Sequence, residues 1–110
     1  MTPAVLHILL SLAAEDRHGL GIAADVKAFS QGRVSLGPGT LYGTIKRLLE
    51  AGLVEDLGSP PAHDASTGLG AGDPRRRYYR ITAKGRRALA LETDQLTSVL
   101  GVARRRLKPS

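Results

Sequence analysis

The strongest constraint on the fold lies in residues 37–54, where the pattern of a short amphipathic helix runs directly into that of a strand. Its apolar residues recur at the helical period and define one buried face: Leu41, Ile45, Leu48 and Leu49. Pro38 is tolerated in the first turn of a helix, and Gly52 suits the left-handed residue that often follows the last turn. The sequence therefore predicts a helix from about residue 38, followed by a strand over 53–57.

A second segment, residues 75–85, predicts a strongly basic strand that leads into another helix. Residues 75–87 hold seven basic residues and no acidic one, in a chain with a net charge of +6. Residues 77–81 form the predicted strand, and Thr82 is a suitable N-cap for the helix after it. A helix followed by a basic hairpin is the layout of a winged helix-turn-helix. We therefore predict a mainly α fold with a small β-hairpin, a winged helix-turn-helix plus a long C-terminal helix.

Two further helices are predicted ahead of this unit. Thr2 and Pro3 suit the N-cap and the first position of a helix, and apolar side chains cover most of the surface that follows. A second amphipathic helix runs from about Leu20 and ends before Gly32. Residues 33–36 are long enough only for a strand stub or an extended connection.

These patterns divide the chain of 110 residues into two functional parts. We predict a DNA-binding domain over residues 1–82 and a C-terminal dimerisation helix with a basic tail over 83–110. Residues 58–74 contain four Gly and three Pro, and such a segment buries too little apolar surface to order itself. The sequence predicts that they form the flexible tip of the wing.

The outer face of the helix that begins near Pro38 carries the residues expected to contact DNA. Small or polar residues with donors suit a base-reading surface, and the predicted contacts are Gly39, Thr40, Tyr42, Gly43, Thr44, Lys46 and Arg47. A mid-helix glycine costs about 1 kcal/mol relative to Ala. We interpret Gly43 as the point of close approach to the DNA backbone, with a tolerated glycine as the alternative. Tyr42 lies between the two faces, so its ring can pack while its hydroxyl contacts a phosphate.

Alternation along the basic strand assigns its side chains to two faces. Tyr79 and Ile81 are predicted to face the core, which leaves Arg80 free. The predicted wing contacts to phosphates or to the minor groove are Arg75, Arg76, Arg77 and Arg80. Arg77 also has a structural alternative, in which it bonds the hairpin backbone or an acid such as Glu55.

The apolar seam of the C-terminal helix needs a partner. A helix of about 25 residues reaches about 37 Å, which is too long for a domain of this size to cover. A second copy of the chain is the economical partner, and folding back onto its own domain is the alternative. The predicted dimerisation residues, three of them in the first helix, are Leu6, Leu9, Leu10, Leu89, Leu96, Val99, Leu100, Ala103 and Leu107.

Composition argues against several other classes of protein. The chain has no Cys, and its three His are scattered, so we expect no metal site, no cofactor and no disulfide. The sequence has no cluster of acid–base or nucleophilic residues, so we expect no enzymatic activity. The apolar run at residues 5–14 is about half of what a membrane span needs. We expect a cytoplasmic protein without a membrane partner, whose core is aliphatic because only 4% of its residues are aromatic.

The same segments resemble the PadR family of bacterial winged-helix transcriptional regulators. The resemblance covers about residues 6–91, and its motifs are His18-Gly19, Pro38-Gly39-Thr40-Leu41-Tyr42, Lys46-Arg47-Leu48, Gly52-Leu53-Val54, Arg76-Arg77-Tyr78-Tyr79-Arg80-Ile81-Thr82 and Gly85. Two departures matter. Leu20 stands where the family often has Tyr, and the long Gly/Pro loop is an unusual wing. The single short C-terminal helix resembles that of the compact subfamily, in which it is the dimerisation helix. Because the chain has no Trp to sandwich a flat aromatic drug, as some compact relatives do, that mode of ligand binding is not carried over.

The resemblance implies a homodimer on double-stranded DNA with a palindromic operator. It places the third helix in the major groove, the wing on the backbone or minor groove, and the C-terminal helix against the N-terminal one at the dimer interface. It further implies a repressor that a small-molecule effector or another signal releases, without identifying that effector. The alternative function is a winged-helix module for protein or RNA contact without sequence-specific DNA reading.

Overall fold

The structure, a computed structural model, describes residues 1–59 and 76–109. In chain order its elements are α1 (Pro3–Ala14), β1 (Arg17–His18), α2 (Gly19–Phe29), α3 (Pro38–Glu50), β2 (Val54–Gly58), β3 (Tyr78–Ile81) and α4 (Ala83–Leu107). This arrangement is a winged helix-turn-helix followed by a long helix, which confirms the predicted fold class. Most of the predicted wing tip, residues 60–74, lies outside the described residues. Within the described ranges no helix combines the length and hydrophobicity that a membrane span requires.

Side-chain caps start α1 and α4 where the sequence predicts. The Thr2 hydroxyl accepts a hydrogen bond from the amide of Val5 at 3.2 Å. The Thr82 hydroxyl accepts one from the amide of Gly85 at 3.0 Å. Each bond satisfies a backbone donor that has no partner within the first turn of its helix. Both predicted helix starts are therefore confirmed.

The end of α3 turns the chain directly into β2. The amide of Leu53 donates to the carbonyl of Leu48 at 3.0 Å, and the amide of Gly52 donates to that of Leu49 at 3.1 Å. This pair of bonds is a Schellman motif, which requires a left-handed residue just after the helix. Gly52 supplies it with a φ of 74°. The predicted helix stop is confirmed, and the strand begins two residues later at Val54.

The sheet has three strands in the order β1-β3-β2, one more than the sequence predicted. In the hairpin, Val54 lies opposite Ile81. The additional strand, β1, pairs antiparallel with β3. The prediction treated residues 15–19 only as a break between helices, because a strand of two residues has no periodicity to detect. Residues 33–36 form no strand.

An aliphatic core joins the helices to the inner face of the hairpin. Its buried apolar residues are Ile8, Leu9, Leu12, Ile22, Val26, Leu41, Ile45, Leu48, Val54, Tyr79, Ile81 and Leu89. Tyr79 and Ile81 face this core, which confirms the predicted alternation. Leu49, predicted on the buried face of α3, is only half-buried. Leu9 and Leu89 are buried inside one protomer, and this corrects their assignment to a dimer interface.

The start of α4 is fixed tightly against the turn that ends α3. The amide of Thr82 donates to the carbonyl of Leu53 at 3.0 Å, and its hydroxyl donates to the carbonyl of Gly52 at 2.7 Å. A Cβ on Gly85 would overlap the carbonyl oxygen of Leu53 and lie 2.8 Å from the side chain of Ile81. A glycine at this position therefore permits the close approach of α4 to the hairpin.

Most of α4 extends beyond the core. Of its 25 residues, Gly85 and Leu89 are buried, and both lie in the first two turns. The protein accordingly measures 62 × 28 × 21 Å. The first turns of α4 are thus part of the winged-helix core, while the remainder presents side chains to solvent.

Candidate nucleic-acid interface

The exposed side of α3 carries five of the seven predicted contact residues: Gly39, Thr40, Gly43, Lys46 and Arg47. The opposite side packs into the core through Leu41, Ile45 and Leu48. Two cations and one hydroxyl therefore lie around two glycines on this side, and Glu50 is exposed in the last turn. The glycines on this side let it enter a DNA groove closely, and its other side chains carry hydrogen-bond donors for the acceptors of base edges and phosphates.

Thr44 is the exception on this helix. The prediction placed Thr44 on the exposed face, but Thr44 is 0% exposed. Its hydroxyl oxygen accepts a hydrogen bond of 3.3 Å from the guanidinium of Arg47. Three residues separate the two positions, so they are neighbours on the helix surface. Thr44 thus lies beneath Arg47 and orients that side chain.

Gly43 lies in open space on the exposed side of α3. A Cβ built there would meet no atom of the described protein within 4 Å. Its φ is not positive, so the helical backbone does not require glycine at this position. The packing of the described residues therefore gives no reason for the absence of a side chain at residue 43.

Tyr42 is half-buried, with the end of its ring against the start of α2. A Cβ on Gly19 would lie 2.5 Å from Cε1 and 2.6 Å from the hydroxyl oxygen of Tyr42. That oxygen is buried. The ring packs as the sequence predicts, but the hydroxyl is not on the solvent side, where a phosphate contact would need it.

His18 begins α2. Its Nδ1 accepts a hydrogen bond of 2.9 Å from the amide of Gly21, so the imidazole acts as the N-cap. Its ring also packs edge-on against Tyr78 of the wing, with centroids 5.3 Å apart. The His-Gly pair thus has two separate tasks: His18 caps α2, and Gly19 leaves room for the Tyr42 ring of α3. Neither task was predicted from the sequence.

The wing arginines occupy different environments from those predicted. Arg75 lies outside the described residues. Arg76 was predicted at an exposed hairpin tip, but it is only 9% exposed. Burial of the Arg76 side chain limits its reach toward a phosphate in this conformation.

Arg77 is paired with an acid on the neighbouring strand. Its Nε donates to Oδ2 of Asp56 at 2.7 Å, and Oδ1 of Asp56 accepts from the amide of Gly58 at 2.7 Å. Burial raises the pKa of Asp56, but these hydrogen bonds outweigh that effect and leave the pKa below its ordinary value. The hydrogen bond to Asp56 raises the pKa of Arg77. The structural alternative for Arg77 is realised with Asp56 in place of Glu55.

Arg80 was predicted to be free, and the structure corrects this. Its Nη2 lies 2.9 Å and its Nε 3.2 Å from Oδ2 of Asp16, in the turn before β1. Glu55, directly opposite on β2, lies 3.8 Å from Nη1. The hydrogen bond to Asp16 raises the pKa of Arg80. Acids from outside the basic segment therefore compensate two of the seven cations that the sequence concentrates there, Arg77 and Arg80.

The predicted dimerisation residues other than the buried Leu9 and Leu89 divide into an exposed group and a half-buried group. Those exposed on the surface are Leu10, Leu96, Val99, Leu100 and Leu107, with Leu107 80% exposed. Leu6 and Ala103 are half-buried. On α4, Leu96, Val99, Leu100, Ala103 and Leu107 recur at the helical period and form an apolar strip along one side of the helix. No group of His, Cys, Asp and Glu among the described residues is arranged to hold a metal ion.

Comparison with known proteins places this fold and sequence in context. A family model described as the Transcriptional regulator PadR-like family matches residues 5–91. A solved transcriptional regulator from Clostridium thermocellum is 21% identical, with a TM-score of 0.74 over 96% of this chain and 90% of that chain. A PadR family regulator from Clostridium difficile R20291 is 22% identical, with a TM-score of 0.73 over 97% of this chain and all of that one.

A PadR-like regulator from Bacillus cereus strain ATCC 14579 is similar to the same degree. It is 20% identical, with a TM-score of 0.73 over 96% of this chain and 92% of that chain. At these identities the structural likeness concerns the fold. No curated protein matches the chain in sequence.

Proposed function

Because the chain belongs to the PadR-like family of transcriptional regulators, we propose that it is a dimeric repressor that binds DNA sequence-specifically through α3. The observation that supports this most directly is the exposed face of α3. It presents Thr40, Lys46 and Arg47 around Gly43, where the described protein leaves open space. The donors can contact bases and phosphates, while the missing side chain permits close approach to the duplex.

We propose that the major-groove contacts come from Gly39, Thr40, Gly43, Lys46 and Arg47. Thr44 acts on DNA through Arg47, and Tyr42 acts by seating α3 on α2. In the wing, Arg75 and Arg77 are the proposed phosphate contacts. Arg76 and Arg80 have a smaller role, because the first is buried and the second faces two acids, Asp16 and Glu55. Among the described residues, Arg77 faces Asp56 alone.

We propose that the apolar strip of α4 pairs with a second copy of the chain, together with Leu6 and Leu10 of α1. A strip with Leu96, Val99 and Leu100 each at least 45% exposed, on a helix beyond the core, is costly in water unless another surface covers it. A two-fold dimer presents two recognition helices symmetrically, which matches a palindromic operator. Residues 1–82 then form the DNA-binding unit and 83–110 the dimerisation unit.

We propose that a small-molecule effector or another signal, of unknown identity, releases the repressor from its operator in the cytoplasm. The alternative function is a winged helix used for protein or RNA contact. The observation that favours it is the pairing of Arg77 and Arg80 with acids, because a wing with two compensated cations contributes less to DNA affinity.

The test is selection of bound sequences from a random duplex pool by the full chain. We expect a two-fold symmetric consensus, with affinity that falls steeply as salt concentration rises. Enrichment of one unsymmetrical half-site would contradict the dimer but keep the DNA-binding role. A pool without any enriched sequence would contradict the proposed function and favour the alternative.

A further inference from the structure

The ion pair between Arg77 and Asp56 lies at the end of the hairpin nearest the wing tip. Arg77 directly precedes β3, and Asp56 lies in β2. We propose that Asp56 is a specificity-determining residue: by holding Arg77, it weakens binding to non-specific DNA. This inference rests on the proposed function, because it concerns the wing of a DNA-binding protein.

The electrostatic argument concerns counterion release. Affinity for non-specific DNA comes almost entirely from cations that neutralise phosphates and release condensed counterions. An arginine whose charge is already compensated by a carboxylate 2.7 Å away contributes less to this term. Asp56 would also carry its own negative charge toward the phosphates. The pair therefore reduces the affinity of the wing for duplexes of any sequence.

Asp56 is fixed in position for this role. One carboxylate oxygen accepts from the amide of Gly58, two residues on, while the other accepts from Arg77. Gly58 has a φ of 82°, and the register of the hairpin shifts between Asp56 and Gly58. The turn therefore presents the second oxygen to Arg77 before any DNA arrives.

The same geometry leaves Arg77 available in a specific complex. Both side chains are about one-third exposed, 36% for Arg77 and 30% for Asp56. Ion pairs at this level of exposure are weak. In a specific complex, a phosphate that the contacts of α3 hold in position can thus replace Asp56 as the partner of Arg77. A loosely bound non-specific duplex competes poorly with Asp56 for Arg77. Asp56 would in this way raise the ratio of specific to non-specific affinity.

Four variants and the wild-type protein test the proposal. Asp56→Asn removes the charge but keeps an oxygen for the amide of Gly58. Arg77→Met removes the cation, and Asp56→Asn/Arg77→Met combines the two changes. Asp94→Asn is the matched control, because it removes one negative charge from an exposed site on α4. Binding of a labelled non-specific duplex and of the selected operator is followed by fluorescence anisotropy over a range of KCl concentrations.

We expect Asp56→Asn to raise non-specific affinity by about three- to tenfold over Asp94→Asn at low salt. It should steepen the slope of log affinity against log salt by about 0.9, the value for one additional phosphate contact. Operator affinity should rise less, so the specificity ratio should fall. In the Arg77→Met background, Asp56→Asn should change the non-specific affinity no more than the control does.

Two outcomes would overturn the proposal. If Asp56→Asn and Asp94→Asn give the same slope of log affinity against log salt for the non-specific duplex, Asp56 does not restrain a wing cation. If Asp56→Asn has its full effect without Arg77, the carboxylate acts by simple repulsion. Asp56→Ser, which also keeps an acceptor for Gly58, replaces Asp56→Asn if thermal melting shows that the latter is unfolded. Failure of the wild-type protein to bind any duplex would refute the proposed function instead.

Discussion

The ring of Tyr42 lies so close to the backbone of Gly19 that no side chain fits between them. A Cβ on Gly19 would lie 2.5 Å from Cε1 of Tyr42. Replacement of Gly19 by any other residue must therefore displace either the ring or the start of α2. Because Tyr42 lies on α3, this contact fixes where α3 sits on the rest of the domain.

We expect Gly19→Ala to destabilise the protein by about 1–3 kcal/mol, the usual cost of overpacking a core. Urea unfolding measures this cost. Gly21→Ala is the matched control, because a Cβ there would lie no closer than 3.4 Å to a neighbour, the ring of His18. The control should be neutral or slightly stabilising. A Gly19→Ala protein as stable as the control would show that Tyr42 moves without cost.

At Gly43 we expect stability and DNA binding to change in opposite directions. Gly43→Ala should stabilise the helix by about 1 kcal/mol, because Ala has the higher helix propensity and its Cβ meets no atom of the described protein. Operator affinity should nevertheless fall by about tenfold if the DNA backbone approaches this position. Thermal melting and anisotropy titration measure the two effects. Unchanged affinity would identify Gly43 as a merely tolerated glycine.

We expect Arg47→Ala to weaken operator binding by about 1–3 kcal/mol, the usual value for a base-contacting arginine. Thr44→Val should cost about 0.5–1.5 kcal/mol, since it removes one hydrogen bond that orients Arg47. Thr44→Ser should restore most of the loss. If Thr44→Val weakens binding just as much in the Arg47→Ala background, Thr44 does not act through Arg47.

The apolar strip of α4 predicts that a charge placed in it will prevent dimerisation. Leu100→Asp should give a monomer, because two protomers would bury unpaired carboxylates at their interface. Light scattering measures the mass. Ser98→Asp is the control, since it adds the same charge on the other side of α4 at an exposed position. A Leu100→Asp protein with the mass of the control would exclude this strip as the interface.

Tyr79 predicts a loss of stability at high pH. Burial, and next the charge of Asp56, raises the pKa of Tyr79 above its ordinary value of 10.0. The unfolded chain therefore releases the phenol proton first. The contribution of Tyr79 to the free energy of unfolding is fully present below about pH 10. It is lost as the pH rises through the pKa of Tyr79 in the folded protein. Tyr79→Phe should abolish this loss, which urea unfolding between pH 8 and 11 measures. An equal decline in both proteins would assign it to other groups.

Much of the fold was predictable because its signals are local. Thr2, Gly52 and Thr82 cap helices through bonds to residues only a few positions away. The period of Leu41 and Ile45 defines the buried face of α3 within a few turns. These features depend on backbone geometry over a short segment, and the sequence alone establishes that geometry.

The candidate site was predictable in outline but not in detail. The sequence located α3, yet Thr44 is buried because the width of the packed face of α3 depends on the residues that α1 and α2 place against it. The sequence also located a basic strand, but it did not show which acidic residues form ion pairs with the arginines of that strand. Arg77 and Asp56 are 21 positions apart, and Arg80 and Asp16 are 64 apart.

The sequence by itself thus determined the order of helices, their ends, the basic character of β3 and the apolar strip on α4. Only the tertiary structure decided that β1 joins the sheet, that Gly19 receives Tyr42, and that carboxylates compensate Arg77 and Arg80. The reason is the separation along the chain over which each interaction acts. Capping and periodicity act between near neighbours in the chain, whereas strand register, close packing and charge pairing depend on segments that only folding brings together.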